Sequence, residues 1–260
     1  MSDRKVLVVA NWKMHKTPQE GLTFARQLKT KALNLPAVNF ILCPSATGLL
    51  HIHGEIRESA LELGAQNLHF AEQGAFTGEI SASMLNACGC KWVIIGHSER
   101  RYIFNEPAGD RQRKVPAALN SGLKVILCIG EVKAERDAGA TAEVLKAQLA
   151  NDLGGISRFP TDQLVIAYEP VWAIGSGVVA LPAQVEEAHA VVRETIFQLF
   201  PSISSKHVSV IYGGSVNIAN AAQLIATPGV DGFLIGGASL NIGDFVTIAQ
   251  NAQTALKAEH

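Results

Sequence analysis

Short apolar runs rich in β-forming residues recur along this 260-residue chain, with helix-like segments between them. This alternation restricts the possible folds more than any other feature of the sequence. Several runs are apolar on both faces, as parallel strands covered on both sides are. We predict eight strands, at Val6–Ala10, Phe40–Cys43, Leu63–Gln66, Trp92–Gly96, Val125–Ile129, Leu164–Tyr168, Val208–Tyr212 and Phe233–Ile235. Strands that alternate with helices from one end of a chain to the other indicate a parallel sheet.

Two of the connecting segments have the pattern of amphipathic helices. Pro18–Lys31 carries apolar residues at roughly helical spacing, and Pro182–Leu199 begins with a proline, which the first turn of a helix favours. No linker rich in proline, glycine and serine divides the sequence into halves. We therefore predict an α/β fold in which residues 1–260 form a single (β/α)8 barrel domain. A doubly wound open sheet is the alternative.

Composition excludes several classes of partner. Hydrophobic residues make up 48% of the chain and charged residues 17%, which favours a large buried core over disorder. The formal net charge of −1 favours neither nucleic acid nor an anionic membrane as a partner. No apolar run is long enough to span a bilayer or to serve as a signal peptide, so we expect a cytoplasmic protein.

We expect the cysteines to be reduced, buried and structural; they are Cys43, Cys88, Cys90 and Cys128.

Chemically useful residues follow the carboxyl ends of the predicted strands. In a parallel barrel the loops at those ends carry the active site. The residues found there are Asn11, Lys13, His97, Glu169, Gly213–Gly214 and Gly236–Gly237. The opposite ends of the strands supply mainly structural residues such as Lys124 and Asp231. One edge of the predicted barrel therefore gathers a cation, an imidazole, a carboxylate and exposed backbone amides.

A carboxylate and an imidazole on this edge are candidates for proton transfer. Glu169 follows a buried strand and precedes Pro170, and a partly desolvated carboxylate is a capable general base. His97 precedes a helix that begins at Ser98, and a helix N-terminus disfavours a proton on an adjacent imidazole. A neutral histidine that donates a hydrogen bond is therefore expected. The alternatives are a structural, ion-paired glutamate and a histidine that caps a strand.

A lysine and the glycine pairs are candidates for binding an anion. Lys13, between Trp12 and Met14, can lay its stem on apolar surface and direct its ammonium into the pocket. Gly213–Gly214 and Gly236–Gly237 let backbone N–H groups approach a phosphate without interference from side chains. A solvated surface lysine and a pair of tight turns are the alternatives.

Three partial motifs fail on their context, so we predict neither a cofactor nor a metal. Gly175–Ala180 matches the dinucleotide pattern G-x-G-x-x-A but does not directly follow a strand. Gly96–Arg100 resembles a nucleophile elbow but ends in arginine where glycine belongs. Two close pairs of possible zinc ligands lack a second pair at zinc spacing; they are Cys88 with Cys90 and His51 with His53.

Taken together, the segments at the strand ends resemble those of the triosephosphate isomerase family along nearly the whole chain. The matching segments are Asn11–Met14, Gly96–Arg101, Ala167–Gly175, Tyr212–Val216 and Asp231–Leu240. The resemblance implies a TIM barrel that acts on a small phosphorylated sugar without cofactor or metal. It implies that Glu169 moves a proton between C1 and C2 while His97 polarises the carbonyl and shuttles hydroxyl protons.

The same resemblance implies supporting roles. Lys13 and Asn11 would stabilise the enediolate and hold substrate, with Ser98 and Glu99 supporting them. Phosphate would be held by Gly175, Ser215, Gly236 and Gly237. A lid would close over the site and exclude water; its residues are Pro170, Val171, Trp172, Ala173, Ile174, Ser176 and Gly177. Thr77, near the tip of the 73–79 loop, would insert into a second subunit, which implies a homodimer.

Two segments depart from the family pattern. Ser176-Gly177-Val178-Val179 stands where the family usually has Thr-Gly-Lys-Thr, so β-branched stiffness at the second hinge is expected to change the motion of the lid. Pro107–Arg111 replaces an acidic run, which is expected to change packing or interface contacts there.

Three other functions remain open at the level of sequence. An isomerase of a longer sugar phosphate differs only in the space beneath the lid. A Schiff-base aldolase would use Lys13 as its nucleophile. A barrel that binds a phosphorylated ligand without turnover would leave Glu169 idle.

Overall fold

The computed structural model describes residues 5–175, 177–203 and 208–258. It contains a closed barrel of eight parallel strands, in which each strand pairs with the next in sequence and the last pairs with the first. The strands are β1 Val6–Asn11, β2 Val38–Cys43, β3 Glu62–Ala65, β4 Trp92–Ile95, β5 Lys124–Ile129, β6 Leu164–Tyr168, β7 Ser209–Tyr212 and β8 Gly232–Ile235. The predicted (β/α)8 barrel is confirmed, and the closing pair of β1 and β8 excludes the doubly wound alternative.

Helices follow the strands along the described part of the chain. They are α1 Pro18–Ala32, α2 Leu49–Ile56, α3 Ala82–Ala87, α4 Ser98–Tyr102, α5 Ala108–Asn120, α6 Lys133–Asp137, α7 Thr141–Asp152, α8 Pro182–Leu199, α9 Ala221–Ile225 and α10 Ile242–Ala258. α1 begins where its sequence indicates, because Thr17 and Glu20 form a capping box around its first residue, Pro18. The Glu20 carboxylate accepts the Thr17 N–H at 2.8 Å.

The core has two layers, because successive side chains of a strand point to opposite faces. One set of alternate residues, including Leu7, Val9 and Ile41, packs only against other strands and fills the barrel. The other set, including Val6 and Val8, packs against the helices. Aromatic contacts outside the barrel join elements from the two ends of the chain. The rings of Phe24 in α1 and Phe40 in β2 both contact Phe245 in α10, with centroids 6.0 and 5.7 Å apart.

A buried ionic network fixes the loop that follows β4. Arg101 donates to the carbonyl oxygens of Gly96 and Cys128, each at 2.6 Å, and its guanidinium pairs with Asp152. Arg111 contacts the same carboxylate at 3.2 Å. Pro107–Arg111, the segment that departs from the family pattern, forms the start of α5, and its Arg111 contributes a cation to this network. Removing one partner of a buried pair typically costs about 3–5 kcal/mol.

The four cysteines are free thiols. Cys43, Cys90 and Cys128 are buried, as expected, whereas Cys88 is half-buried. Burial raises the pKa of Cys90 to about 12. Among the described residues we find no group of histidine, cysteine and carboxylate side chains arranged to hold a metal ion. The helices described also include none with the length and apolarity needed to cross a membrane.

Candidate active site

The predicted catalytic and substrate-binding residues meet in one cavity at the carboxyl edge of the barrel. The cavity has a volume of about 350 Å³, within the range of small-molecule sites. Its lining includes Asn11, Lys13, His97, Glu169, Gly175, Gly177, Gly213, Gly214, Ser215, Gly236 and Gly237. The cavity therefore brings together residues from five different strand ends.

Glu169 directly follows β6 and is almost completely buried, with 1% of its surface exposed. One carboxylate oxygen accepts the Ser98 N–H at 2.9 Å, and the other lies 3.2 Å from Nε2 of His97. Gly213 leaves room for the side chain, because a Cβ atom there would lie 2.8 Å from Cγ of Glu169. The carboxylate is therefore held between the loops that follow β4 and β7.

His97 caps the N-terminus of α4. Its Nδ1 accepts the Glu99 N–H at 3.2 Å, so the ring hydrogen lies on Nε2 when the imidazole is neutral. Nε2 is the nitrogen that faces Glu169 and the cavity. This is the geometry that a neutral hydrogen-bond donor at this position requires.

Lys13 has a left-handed backbone, with φ of 51°, and two side chains hold it there. Its N–H donates to Oδ1 of Asn11 at 3.1 Å, and its carbonyl accepts from Gln66 at 2.9 Å. Its ammonium pairs with Glu99 at 2.7 Å. Gly236 provides space, because a Cβ there would lie 3.2 Å from Cε of Lys13. Glu99 thus lies beside Lys13, where the resemblance implies a supporting residue, while Asn11 orients the Lys13 backbone and lines the cavity.

Sequence reasoning missed Gln66 as a functional residue. Its side-chain amide donates to the carbonyl oxygens of Lys13 and Cys43, both at 2.9 Å, and so ties the loop after β1 to the end of β2. The signal was present, because Gln66 directly follows β3 at the carboxyl edge. The backbone carbonyls that Gln66 contacts come from two other strand ends, and the sequence alone does not show that they lie within its reach.

Hydrogen bonds to Ser215 and Glu131 hold the segment predicted as a lid in this structure. Val171–Ala173 form a 3₁₀ turn, and Ser215 donates from Oγ to the Ala173 carbonyl at 2.6 Å. The indole of Trp172 donates to Glu131 at 3.0 Å. Val178 and Val179 at the second hinge are exposed. Ser176, another predicted lid residue, lies outside the described residues.

Glu131 is a second residue that sequence reasoning missed. Its side chain is fully buried beside β5, where Oε1 accepts both the Trp172 indole and the Tyr168 hydroxyl at 3.0 Å. Burial, and after it the nearby charge of Glu131, raises the pKa of Tyr168. The phenol therefore stays protonated and can donate its hydrogen bond. Like Glu169, Glu131 lies just past the end of a strand, and that position was the signal that could have found it.

A turn of glycines follows β8 and forms another wall of the cavity. Gly237–Ser239 adopt a 3₁₀ turn, and Ser239 donates from Oγ to the Gly236 carbonyl at 2.6 Å. The Trp12 indole donates to the carbonyl of Ser239 at 3.2 Å. The turn is therefore anchored on the side away from the cavity.

A second cavity, of about 520 Å³, adjoins the first and shares Asn11, Lys13 and His97 with it. Exposed apolar side chains on its lining include Met14, Ile103 and Phe104, of which Met14 is 95% exposed. Thr77 is exposed in the loop between β3 and α3. Adjacent exposed apolar residues of this kind are typical of protein interfaces.

The family model for triosephosphate isomerase matches residues 6–252 of the chain. The chain belongs to the triosephosphate isomerase family. Triosephosphate isomerases of Chlorobium phaeobacteroides and Rhodopirellula baltica are 46% and 40% identical to it, over 96% and 97% of this chain and 99% of each relative. The crystal structure of the triosephosphate isomerase from Bartonella henselae superposes with a TM-score of 0.86 at 36% identity, covering 95% of this chain and 98% of that one. Membership of this family agrees with the resemblance at the strand ends.

Proposed function

We propose that this chain interconverts D-glyceraldehyde 3-phosphate and dihydroxyacetone phosphate. The observation that carries the proposal is the buried pair of Glu169 and His97, whose Oε1 and Nε2 atoms lie 3.2 Å apart on the wall of a small cavity. A base and a neutral donor at this separation can reach adjacent atoms of one small substrate. Relatives of 40–46% identity that carry this enzyme's name support the assignment.

In the proposed mechanism Glu169 removes a proton from the carbon beside the carbonyl and returns it to the neighbouring carbon. His97 donates from Nε2 to the carbonyl oxygen and then moves the proton between the two oxygens of the enediolate. Lys13 stabilises the negative charge on those oxygens, with Asn11 orienting its backbone. Before it takes the proton, the Glu169 carboxylate must break its hydrogen bond with the Ser98 N–H, so this hydrogen bond marks a resting position of the base.

The phosphate of the substrate would be held on the opposite side of the cavity. Gly175, Ser215 and the Gly236–Gly237 amides line that side, and backbone N–H groups bind phosphate oxygens well. Ser215 now contacts the lid at Ala173, so phosphate binding would compete with that contact and favour closure of Pro170–Gly177. Closure would exclude water from the enediolate.

Further features of the proposal follow from the family. The enzyme would be a cytoplasmic homodimer of single-domain subunits, each spanning residues 1–260. It would need no cofactor or metal, since a carboxylate and an imidazole suffice for the proton transfers. Thr77 of each subunit would reach the cavity beside the other subunit's site. The reaction would serve glycolysis and gluconeogenesis.

The test is turnover of glyceraldehyde 3-phosphate by the purified protein in excess chelator, with Glu169→Gln as the control. We expect the wild type to turn over this substrate and the Glu169→Gln variant to be at least a thousandfold slower. Five-carbon aldose phosphates run in parallel distinguish an isomerase of longer substrates. A covalent adduct with substrate after borohydride treatment would instead favour the aldolase. Ligand binding without proton exchange at the substrate carbon would favour a binding barrel.

A further inference from the structure

Lys16 lies in the loop between β1 and α1 with an unusual backbone. Its φ angle is 67°, in the left-handed region that side chains with a Cβ atom rarely adopt. Glycine would adopt this conformation more easily. A lysine that tolerates such a backbone is held by contacts made by its side chain.

Those contacts lead to the far end of the chain. Nζ of Lys16 donates to the carbonyl oxygen of Leu240 at 2.8 Å, across 224 residues of sequence. The same ammonium lies 5.5 Å from the centre of the Trp12 ring and 5.0 Å from that of Phe24. Both rings are buried, so the ammonium is held between an aromatic surface and one carbonyl.

Leu240, whose carbonyl accepts from Lys16, ends the turn that begins at Gly236 and lines the active-site cavity. The Leu240 N–H donates to Gly237 at 3.0 Å, and the Ser239 N–H donates to Gly236 at 2.9 Å. Gly236 and Gly237 carry no side chains to anchor them, so the turn depends on contacts at its outer end. Two donors from the β1–α1 loop supply these contacts: the Trp12 indole at Ser239 and the Lys16 ammonium at Leu240.

We propose that Lys16 is a positioning residue that holds the 236–240 turn in the geometry that binds the substrate's phosphate. It acts through the carbonyl of Leu240 and does not touch substrate. The proposal rests on the proposed function, because it requires the Gly236 and Gly237 amides to bind phosphate. Lys16 also belongs to the loop that presents Lys13, so one loop fixes both the enediolate-stabilising cation and the phosphate turn.

Two variants separate positioning from simple stabilisation. Lys16→Met keeps the apolar stem but removes the donor, whereas Lys16→Gly removes the side chain and relieves the backbone conformation at once. Lys29→Met is the matched control, because Nζ of Lys29 also donates to a backbone carbonyl, that of Glu55, at 3.1 Å. The probes are glyceraldehyde 3-phosphate turnover, competitive inhibition by inorganic phosphate, and thermal unfolding.

We expect both Lys16 variants to raise KM and the inhibition constant of inorganic phosphate by about 5- to 20-fold, with kcat changed less than threefold. That range corresponds to about 1–2 kcal/mol, the scale of the net contribution of one hydrogen bond. Lys29→Met should change neither constant by more than twofold. Lys16→Gly is informative because its melting temperature should fall less than that of Lys16→Met while its phosphate affinity is equally weakened.

Phosphate affinity and KM within twofold of wild type in either folded Lys16 variant would overturn the proposal and leave Lys16 a structural residue. Failure of the proposed function gives a different result. In that case the wild type itself would show no turnover of glyceraldehyde 3-phosphate, whether or not calorimetry detects binding of inorganic phosphate.

Discussion

At the scale of single residues, Glu169 is held by the Ser98 N–H and by His97, and its reach from the β6 backbone determines where the base can act. Glu169→Asp shortens the side chain by one methylene. We expect kcat to fall about a hundredfold, because a misplacement of ~1 Å can cost that much. Steady-state kinetics of the folded variant check this. An unchanged kcat would remove Glu169 from the role of base.

His97 supplies the donor that faces the cavity and also caps α4. We expect His97→Ala to raise the barrier by about 3 kcal/mol, the effect of losing one oxyanion donor, and so to lower kcat about a hundredfold. His97→Asn is a useful comparison, because its side chain can still cap the helix without reaching Glu169. A loss confined to KM in the alanine variant would make His97 a binding residue instead.

Most of the site could be predicted at this scale from position alone. Asn11, Lys13, His97 and Glu169 lie at or within two residues of the carboxyl ends of strands, and parallel strands bring those ends to one edge. Gln66 and Glu131 also follow strands, but their roles depend on which backbone carbonyl or indole lies within 3 Å, and only the packed structure determines that. The contact of Ser215 with Ala173 was unpredictable for the same reason.

At the scale of elements, α8 carries a buried histidine. His189 faces the carbonyl of Gly229 from Nδ1 at 3.0 Å, and burial lowers its pKa from 6.5 to about 4. The native state therefore binds fewer protons than the unfolded chain between these values. The stability contributed by neutral His189 is fully present above pH 6.5 and is lost as the pH falls toward 4.

This difference predicts the acid sensitivity of folding. Between pH 7 and pH 5 the wild type should lose about 2 kcal/mol of unfolding free energy through His189, since each unit of pKa shift is worth about 1.4 kcal/mol. His189→Gln, whose amide can still donate to Gly229, should show a correspondingly smaller loss. Urea unfolding at the two pH values measures it, with the exposed His15→Gln as control. Equal losses in all three proteins would contradict the prediction.

Elements differ in how well their sequences identify them. α8 matches its prediction at both ends, and α1 extends one residue beyond its predicted end, because each of these long amphipathic segments begins with a proline in its first turn. In α1 a capping box of Thr17 and Glu20 reinforces this start. Helices of five or six residues, such as α4 and α9, span too few turns for a periodic pattern to develop. Their positions are determined by tertiary contacts, as the Arg101 network shows for α4.

At the scale of the whole molecule, the cavity beside Lys13 and the exposed Met14 predict a partner subunit. We expect sedimentation equilibrium to give twice the monomer mass of 27.7 kDa. Thr77→Arg should produce monomers with kcat lowered at least tenfold, because a buried charge at the loop tip opposes docking. The control is Leu33→Arg, at an exposed residue after α1. A fully active monomeric wild type would contradict the prediction.

The pairing of β1 with β8 has a consequence for synthesis of the protein. Leu7 lies opposite Gly232 and Ala10 opposite Ile235, so the first strand closes on the last to emerge from the ribosome. Lys13 and Asn11 lie at one side of this seam, and Gly236 and Gly237 at the other. A nascent chain therefore carries its acid–base residues long before it carries the wall that completes the cavity. We therefore expect catalysis to begin only after β8 has left the ribosome, and every shorter nascent chain to be inactive.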